Sequence, residues 1–470
     1  LADPAASDAL VARASAIETA FKAVTATVAG LATRQFDPEF AAFAADRLRS
    51  ALGVEIARER FDAAWNRPLD LVALQAEAVV RVFARLVGEA GDRARNALVE
   101  GEPATEVIAR WGFHAIDISA CADGRVAGLL DHVLRVPAPV VTARRSYAGA
   151  MFPVAETLGQ WERVELRRLR EGRPNPAGAG TRYLKIGVYH YSSRDPRHEG
   201  CAAHGSDDAR AAGLLLGRLE DFAAAVERRH GAGDGVALLL VGLDTDTDAI
   251  RVHVPGPDGR IDTDRFVSSL ELHTRTAALS REAAKQEVRA AVAEAAGTAQ
   301  DDPATEGMRW FCGYLLKNNI AQVEAVRSRF GGAYPEAGHD EKLIVIGDPV
   351  DDVQLRNLAF QAQMASVEEG AGDLVVGLRI LATRLSPQGL AVPVLILRAY
   401  DPEIPGDEER AASAALAMRA AVAARHAGAS RGLRVLPVAA VRAAEGGPLR
   451  IISPDCSSAG QGCDCGGRHA

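Results

Sequence analysis

His114-Ala-Ile-Asp-Ile-Ser-Ala120, closed by Cys121-Ala-Asp123-Gly-Arg125, and Tyr183-Leu-Lys-Ile-Gly-Val-Tyr189, closed by His190, are the stretches that decide the fold. Each reads as a short strand ending on a residue able to bind a metal. Outward from them, strands and helices alternate between about 100 and 340. A helix over Ala104–Trp111 precedes the first strand, and the Asp131–Val141 stretch and a helix-like run to Glu171 follow it. Arg173-Pro-Asn-Pro-Ala-Gly-Ala-Gly180 is a loop by composition. After the second strand come a long loop to Gly205 and a helix capped near Ser206-Asp207-Asp208 that runs to about His230. A strand over Val236–Leu243 is next, with Ile250–Val254 beside it, then helices over Phe266–Gly297 and Glu306–Phe330. This order predicts an α/β fold: a mostly parallel sheet with helices on both faces and ligands at the carboxyl ends of the strands. Cys121 and His190 fall at such ends.

From about 340 the same grammar returns. Lys342-Leu-Ile-Val-Ile-Gly-Asp348 reads as a strand like Leu184–His190, a helix is expected through Val367, and Val392–Arg398 echoes Val236–Leu243. The reading is a degenerate internal repeat in which Asp348 takes the place of His190, with no Cys or His near it to build a second metal site. Before residue 95 the pattern is helical, with apolar residues three and four apart over Leu10–Leu31 and Asp70–Val87 and an Asp37-Pro38 helix start. The expected organisation is therefore a helical domain over 1–95, a metal-bearing catalytic domain over 96–340 and a degenerate copy without metal over 341–470.

Composition bounds the function. The 470 residues carry a net charge of −8, with 48% hydrophobic and 25% charged residues. An acidic balance argues against nonspecific nucleic-acid binding. No apolar run reaches the ~20 residues that span a bilayer, so no membrane partner is expected, and Leu1-Ala-Asp-Pro shows no signal-peptide pattern. Six cysteines at irregular spacing read as reduced thiols rather than a disulfide framework.

Cys121, His190 and Cys201 supply two thiolates and an imidazole, the N/S donors that zinc accepts tetrahedrally, and three protein ligands leave one position open. A carboxylate two residues from a ligand could occupy that position itself. Arg125, two residues further on, can hold Asp123 away in a bidentate pair. An Asp123 oxygen then accepts a hydrogen bond from zinc-bound hydroxide and orients it. His198-Glu-Gly-Cys201 offers a second choice of imidazole at short spacing.

Cys-Ala-Asp-Gly-Arg resembles the Cys-x-Asp-x-Arg of β-type carbonic anhydrases. Tyr189-His-Tyr-Ser-Ser-Arg-Asp-Pro-Arg-His-Glu-Gly-Cys-Ala-Ala-His-Gly-Ser-Asp208 is similar to the carboxysomal shell carbonic anhydrases, the ε class, and the resemblance covers most of the chain. It implies a helical N-terminal domain, a zinc-bearing domain and a C-terminal copy that has lost its metal. It implies one zinc on Cys121, His190 and Cys201, with Asp123 and Arg125 as the dyad. β-Type enzymes space the second pair as His-x-x-Cys, whereas ten residues separate His190 from Cys201 here, as in the ε class. The implied activity is interconversion of CO2 and bicarbonate in the carboxysome, feeding CO2 to Rubisco, by an assembly that is at least a dimer and contacts the shell or Rubisco. The alternative is a catalytically silent, zinc-stabilised shell protein. A different zinc lyase or hydrolase would need a wide pocket at the Cys121 strand end.

Other residues carry lesser expectations. His204 reads as a structural or proton-transfer neighbour. Asp244-Thr-Asp-Thr-Asp248 opens like a calcium loop but has Ala249 and Pro255 where Gly and Glu are needed. Cys456, Cys463, Cys465 and His469 read as a flexible tail, Cys312 as buried packing and His273 as a helix-surface residue. Arg144-Arg145 and Arg167-Arg168 are candidates for a phosphorylated sugar effector bound away from zinc.

Overall fold

The computed structural model describes residues 4–56, 58–62, 64, 68–94, 108–136, 140–174, 180–297, 306–348, 350, 356–368, 370–426 and 433–452. They form two compact units. The first comprises Leu1–Leu10, Leu98–Asp340 and Gln354–Gln361; the second comprises Val11–Ala97, Glu341–Val353 and Ala362–Ala470. Among the described residues no helix is long and apolar enough to cross a membrane.

The first unit is built on six strands: β1 (Phe113–Cys121), β2 (Ala143–Tyr147), β3 (Arg182–Tyr191), β4 (Val236–Asp244), β5 (Ile250–His253) and β6 (Val267–Ser268). Their order is β2-β1-β3-β4-β5-β6. β2, β1, β3 and β4 are parallel, and β5 and β6 turn back antiparallel. Parallel neighbours need long crossovers, which helices supply. One face of the sheet, with Ile116, Ile118, Leu184, Ile186 and Val188, packs on Val288, Val292, Phe311 and Leu315. The other face, with Ala115, Tyr183 and Leu240, packs on Trp161, Leu215, Leu219 and Phe222. A helix over Asp208–His230 can lie this close to β3 because Gly187 has no side chain: a Cβ there would meet Leu215 at 2.9 Å.

The second face also buries an ion pair. Lys185 Nζ donates to Asp117 Oδ1 at 2.8 Å and to Ser119 Oγ at 2.8 Å, Tyr183 Oη donates to Asp117 Oδ2 at 2.7 Å, and the ammonium lies 4.5 Å from the Phe152 ring. Each charged atom has a partner, which a pair at 0% exposure requires.

A second, five-stranded sheet comprises β7 (Leu343–Gly347), β8 (Ala359–Gln363), β9 (Val392–Tyr400), β10 (Val435–Ala443) and β11 (Arg450–Ile452), in the order β11-β10-β9-β7-β8; β7, β9, β10 and β11 belong to the second unit. β7, β9 and β10 are parallel and β11 is antiparallel to β10. The helices of this unit include Phe40–Leu52, Leu71–Ala94, Ala371–Leu385 and Asp407–His426, and Pro4–Ala32 leads into it. The protein is thus α/β, with N-terminal helices and two mixed sheets.

Several expectations need correction. Asp37-Pro38 sits in a turn, where Asp37 O accepts the Phe40 N–H, and the helix starts at Phe40 behind an N-cap at Glu39. The helix expected through Val367 is not there: Ala359–Gln363 is a strand, and the helix comes later, at Ala371–Leu385. The Asp131–Val141 stretch contributes a π-helical turn over Leu129–Leu134. The repeat is also offset by one strand. β2-β1-β3-β4-β5 and β8-β7-β9-β10-β11 have the same order, so β7 matches β1 and β9 matches β3. Asp348 therefore follows the counterpart of the Cys121 strand, and the position equivalent to His190 lies near Ala399. Asp348 serves the backbone there, accepting the Ala399 N–H at 2.8 Å. Of the helix expected at Ala104–Trp111, residues 108–111 are described: 108–110 are helical and Trp111 is in the turn that follows. Cys456, Cys463, Cys465 and His469 lie outside the described residues, as does most of the Arg173–Gly180 loop.

Candidate metal centre

Cys121 is the last residue of β1, and the chain is fixed immediately beyond it because Ala122 N–H donates to Tyr147 O at 2.9 Å. Asp123 then caps the short turn Gly124–Val126 by accepting the Arg125 N–H at 2.9 Å. That turn folds the guanidinium back onto the carboxylate. Arg125 Nε reaches Asp123 Oδ1 at 3.0 Å and Nη2 reaches Oδ2 at 2.8 Å, a bidentate pair buried from solvent.

His190 lies one residue before the end of β3, and a loop from Ser192 to Gly200 leads on to Cys201. Carboxylates secure the start of this loop. Asp244 accepts Ser193 N–H at 3.1 Å and its Oγ–H at 2.7 Å; Asp246 accepts Ser192 Oγ–H at 2.7 Å and Arg194 N–H at 2.9 Å. The Asp244–Asp248 stretch, which opens like a calcium loop, here presents its carboxylates to protein donors. Arg125 secures the other end, donating from Nη1 to Glu199 O at 2.6 Å. Gly200 is required before Cys201, since a Cβ there would lie 2.9 Å from the Ser206 backbone.

Cys121, His190 and Cys201 converge, their ligand atoms all within 4.8 Å of one another. The two Sγ atoms are 3.9 Å apart. Two Zn–S bonds of about 2.3 Å at a tetrahedral angle would place them about 3.8 Å apart, so the residues fit that ion. Both His190 ring nitrogens are buried without a hydrogen-bond partner. Asp123 Oδ2 is 3.3 Å from Nε2, but the contact is too poorly aligned to count as a hydrogen bond. A fully buried imidazole left in this way is short of a ligand. The hydrogen bond to Cys201, together with burial, pushes the Cys121 thiol well above its ordinary range, and the same bond lowers Cys201. A cation bound between two thiols this close would displace their protons, since the thiolate is the ligand.

Burial opposes ionisation of Asp123, but the Arg125 guanidinium beside it holds its carboxyl well below the usual carboxylate range. His339 was not legible in the sequence. Its Nε2 accepts from Arg125 Nη2 at 3.2 Å and lies 3.7 Å from Asp123 Oδ2. Nothing local marks it, because its partner is 214 residues away. His198 stays at the surface, 72% exposed and paired with Asp195 at 2.8 Å. His204 is buried and donates from Nε2 to Gly149 O at 3.1 Å, and burial lowers its pKa. Cys312 is fully buried in the helix over Glu306–Phe330, and His273 is half-buried against Glu324. Arg145 is committed to Glu156 at 3.0 Å.

Three family models match in succession: Carboxysome Shell Carbonic Anhydrase, N-terminal over 1–91, catalytic domain over 103–339 and C-terminal over 340–450. The chain belongs to the carboxysome shell carbonic anhydrase family. The carboxysome shell carbonic anhydrase of Halothiobacillus neapolitanus is 41% identical over 368 residues, covering 77% of this chain and 72% of that protein. That of Parasynechococcus marenigrum is 39% identical, covering 91% and 73%, and that of Prochlorococcus marinus is 38% identical, covering 91% and 83%. All five candidate site residues fall within the segment matched by the family's catalytic domain.

Proposed function

We propose that this chain interconverts CO2 and bicarbonate at one zinc ion held by Cys121, His190 and Cys201. The observation that carries the reading is the buried two-thiol, one-imidazole cluster, whose imidazole lacks partners, beside a carboxylate clamped by a guanidinium. Zinc in such a donor set supplies Lewis acidity that makes water a nucleophile near neutral pH. The two thiolates balance the charge of the dication. Arg125 occupies Asp123 from one side and keeps it ionised, so that Oδ2, the oxygen nearer His190, is the acceptor that orients the attacking water. The carboxylate is preorganised, since Asp123 and Arg125 are fixed before substrate arrives.

The wider reading belongs to the same proposal. Residues 1–95, 96–340 and 341–470 act as a helical domain, a catalytic domain and a copy without metal. The protein works as a dimer or dimer-based assembly in the carboxysome, against shell or Rubisco, and supplies CO2 to Rubisco. A phosphorylated sugar bound away from the cluster adjusts its activity, with Arg144-Arg145 and Arg167-Arg168 as the candidate contacts.

Metal analysis combined with stopped-flow CO2 hydration tests the core of the proposal. The expected result is one zinc per chain and hydration activity that Asp123→Asn removes while zinc stays. Stoichiometric zinc without hydration in the parent protein would leave the structural-zinc alternative standing.

A further inference from the structure

In the first unit, the helices over Arg281–Ala296 and Glu306–Phe330 enclose a cavity of about 520 Å³, in the size range of small-molecule sites. The walls follow helical spacing. Lys285, Val288, Arg289 and Val292 line it from one helix, at i, i+3, i+4 and i+7, so a single face is presented. From the other helix Glu306, Arg309, Trp310 and Gly313 line it at the same spacing, and Tyr314 and Lys317 continue that face one turn further on. Trp111, in the turn before β1, completes the lining.

Three features of this wall point to a ligand. First, charge: Lys285, Arg289, Arg309 and Lys317 face Glu306 as the one acid of the lining, a local excess of three positive charges (four minus one) in a chain of net charge −8. Glu282, outside the lining, pairs with Lys285 at 2.6 Å, and Glu306 accepts from the Trp310 indole at 3.2 Å. Second, aromatic surface: Trp310 is 52% exposed, the Arg289 guanidinium lies 5.1 Å from its ring centroid, and Lys317 lies 5.8 Å from the Tyr314 ring. Third, Gly313 sits inside a helix, where glycine is disfavoured. Only Val288 Cγ1, at 4.0 Å, is near the place of its missing Cβ. Close helix packing therefore does not require the glycine; its effect is to leave the cavity wall open between Trp310 and Lys317.

We propose that this cavity binds a nucleotide-class anion, with the base stacked on Trp310 and the phosphates on Arg289, Lys317 and their cationic neighbours. Arg pairs with phosphate bidentately and Lys acts as a point charge, while an exposed indole offers a stacking face. Bare polyanions would use only the cations, and bare nucleosides only the ring. The cavity is separate from the metal centre: Trp111 precedes β1 and Cys121 ends it, ten residues on, roughly 30 Å for an extended strand. The proposal does not depend on the carbonic anhydrase reading.

The test is calorimetric titration of the full chain with ATP, tripolyphosphate and adenosine in parallel, with tryptophan fluorescence as a second readout. ATP should bind saturably at about 1 mM or below, and each fragment about tenfold or more weaker. Trp310→Ala should weaken ATP but not tripolyphosphate. Arg289→Glu should weaken both about tenfold or more and steepen with falling salt. Gly313→Leu, with its fold checked by circular dichroism, should abolish ATP binding by filling the space. If ATP does not bind at millimolar concentration, or if tripolyphosphate equals ATP and Trp310→Ala changes neither, the proposal is overturned. Arg289→Glu is solvent-exposed, so it keeps the test decisive even if Gly313→Leu fails to fold.

Discussion

Replacing Arg125 with alanine tests the reasoning about the site most directly. The guanidinium makes two hydrogen bonds to Asp123, at 2.8 and 3.0 Å, and also donates to Glu199 O at 2.6 Å, Ala337 O at 2.9 Å and Gly200 O at 3.4 Å. Alanine leaves a buried carboxylate without its countercharge, at a cost of about 3–5 kcal/mol. The stranded carbonyls add about 1 kcal/mol or more for each that water cannot reach. Against a typical stability of about 5–15 kcal/mol, this is a large fraction of the total. Urea unfolding followed by circular dichroism should show Arg125→Ala destabilised by at least about 3 kcal/mol. Asp123→Asn removes the charge that needed compensation, so the double variant should be less destabilised than the sum of the singles by about 2 kcal/mol or more. Arg125→Lys should fall between, because an ammonium cannot make the planar fork and reach the carbonyls together. An Arg125→Ala protein within about 0.5 kcal/mol of the parent, or strictly additive singles, would refute the view that this pair is a built clamp.

Three further outcomes are expected. Cys121→Ser, His190→Ala and Cys201→Ser should each lose zinc by metal analysis, while His198→Ala keeps it and Asp348→Ala leaves the content at one per chain; loss in His198→Ala alone would reverse the ligand assignment. His253 is buried, which lowers its pKa to about 4 despite its hydrogen bond to Asp262 O, so the unfolded chain binds its proton first as pH falls. The stability this contributes is complete above about pH 6.5 and is lost between there and about 4, by roughly 3 kcal/mol; urea midpoints at pH 7.5 and 4.5 should show a slope that His253→Gln flattens, and an unchanged slope in that variant would contradict the assignment. Lys185→Met strands buried Asp117 and should cost about 3–5 kcal/mol in urea unfolding, with Asp117→Val added to it recovering most of the loss; equal stability of single and double variants would show that the pair is not coupled.

The sequence by itself determined the elements whose signal is local. β1 and β3 are short runs rich in apolar and β-favouring residues, interrupted by Asp117 and Lys185, and the Asp208–His230 helix has its cap at Asp207, so composition and spacing suffice to find them. Cys-x-Asp-x-Arg is likewise local: the Asp123 turn brings Arg125 back onto the carboxylate within two residues. Tertiary structure decided what depends on neighbours distant in the chain. Ala359–Gln363 alternates buried and half-exposed residues but is only five residues long, and its place at the edge of a sheet is set by the strands beside it. The offset of the repeat follows from strand order, which sequence order does not give. His339 and the Asp244–Asp246 anchor act on residues far away in the chain, as does the choice of His190 over His198 as the imidazole near both thiols. A strand or a turn is specified within a few residues, whereas a metal centre is specified by where separate strands end. Those ends are fixed only when the whole sheet packs.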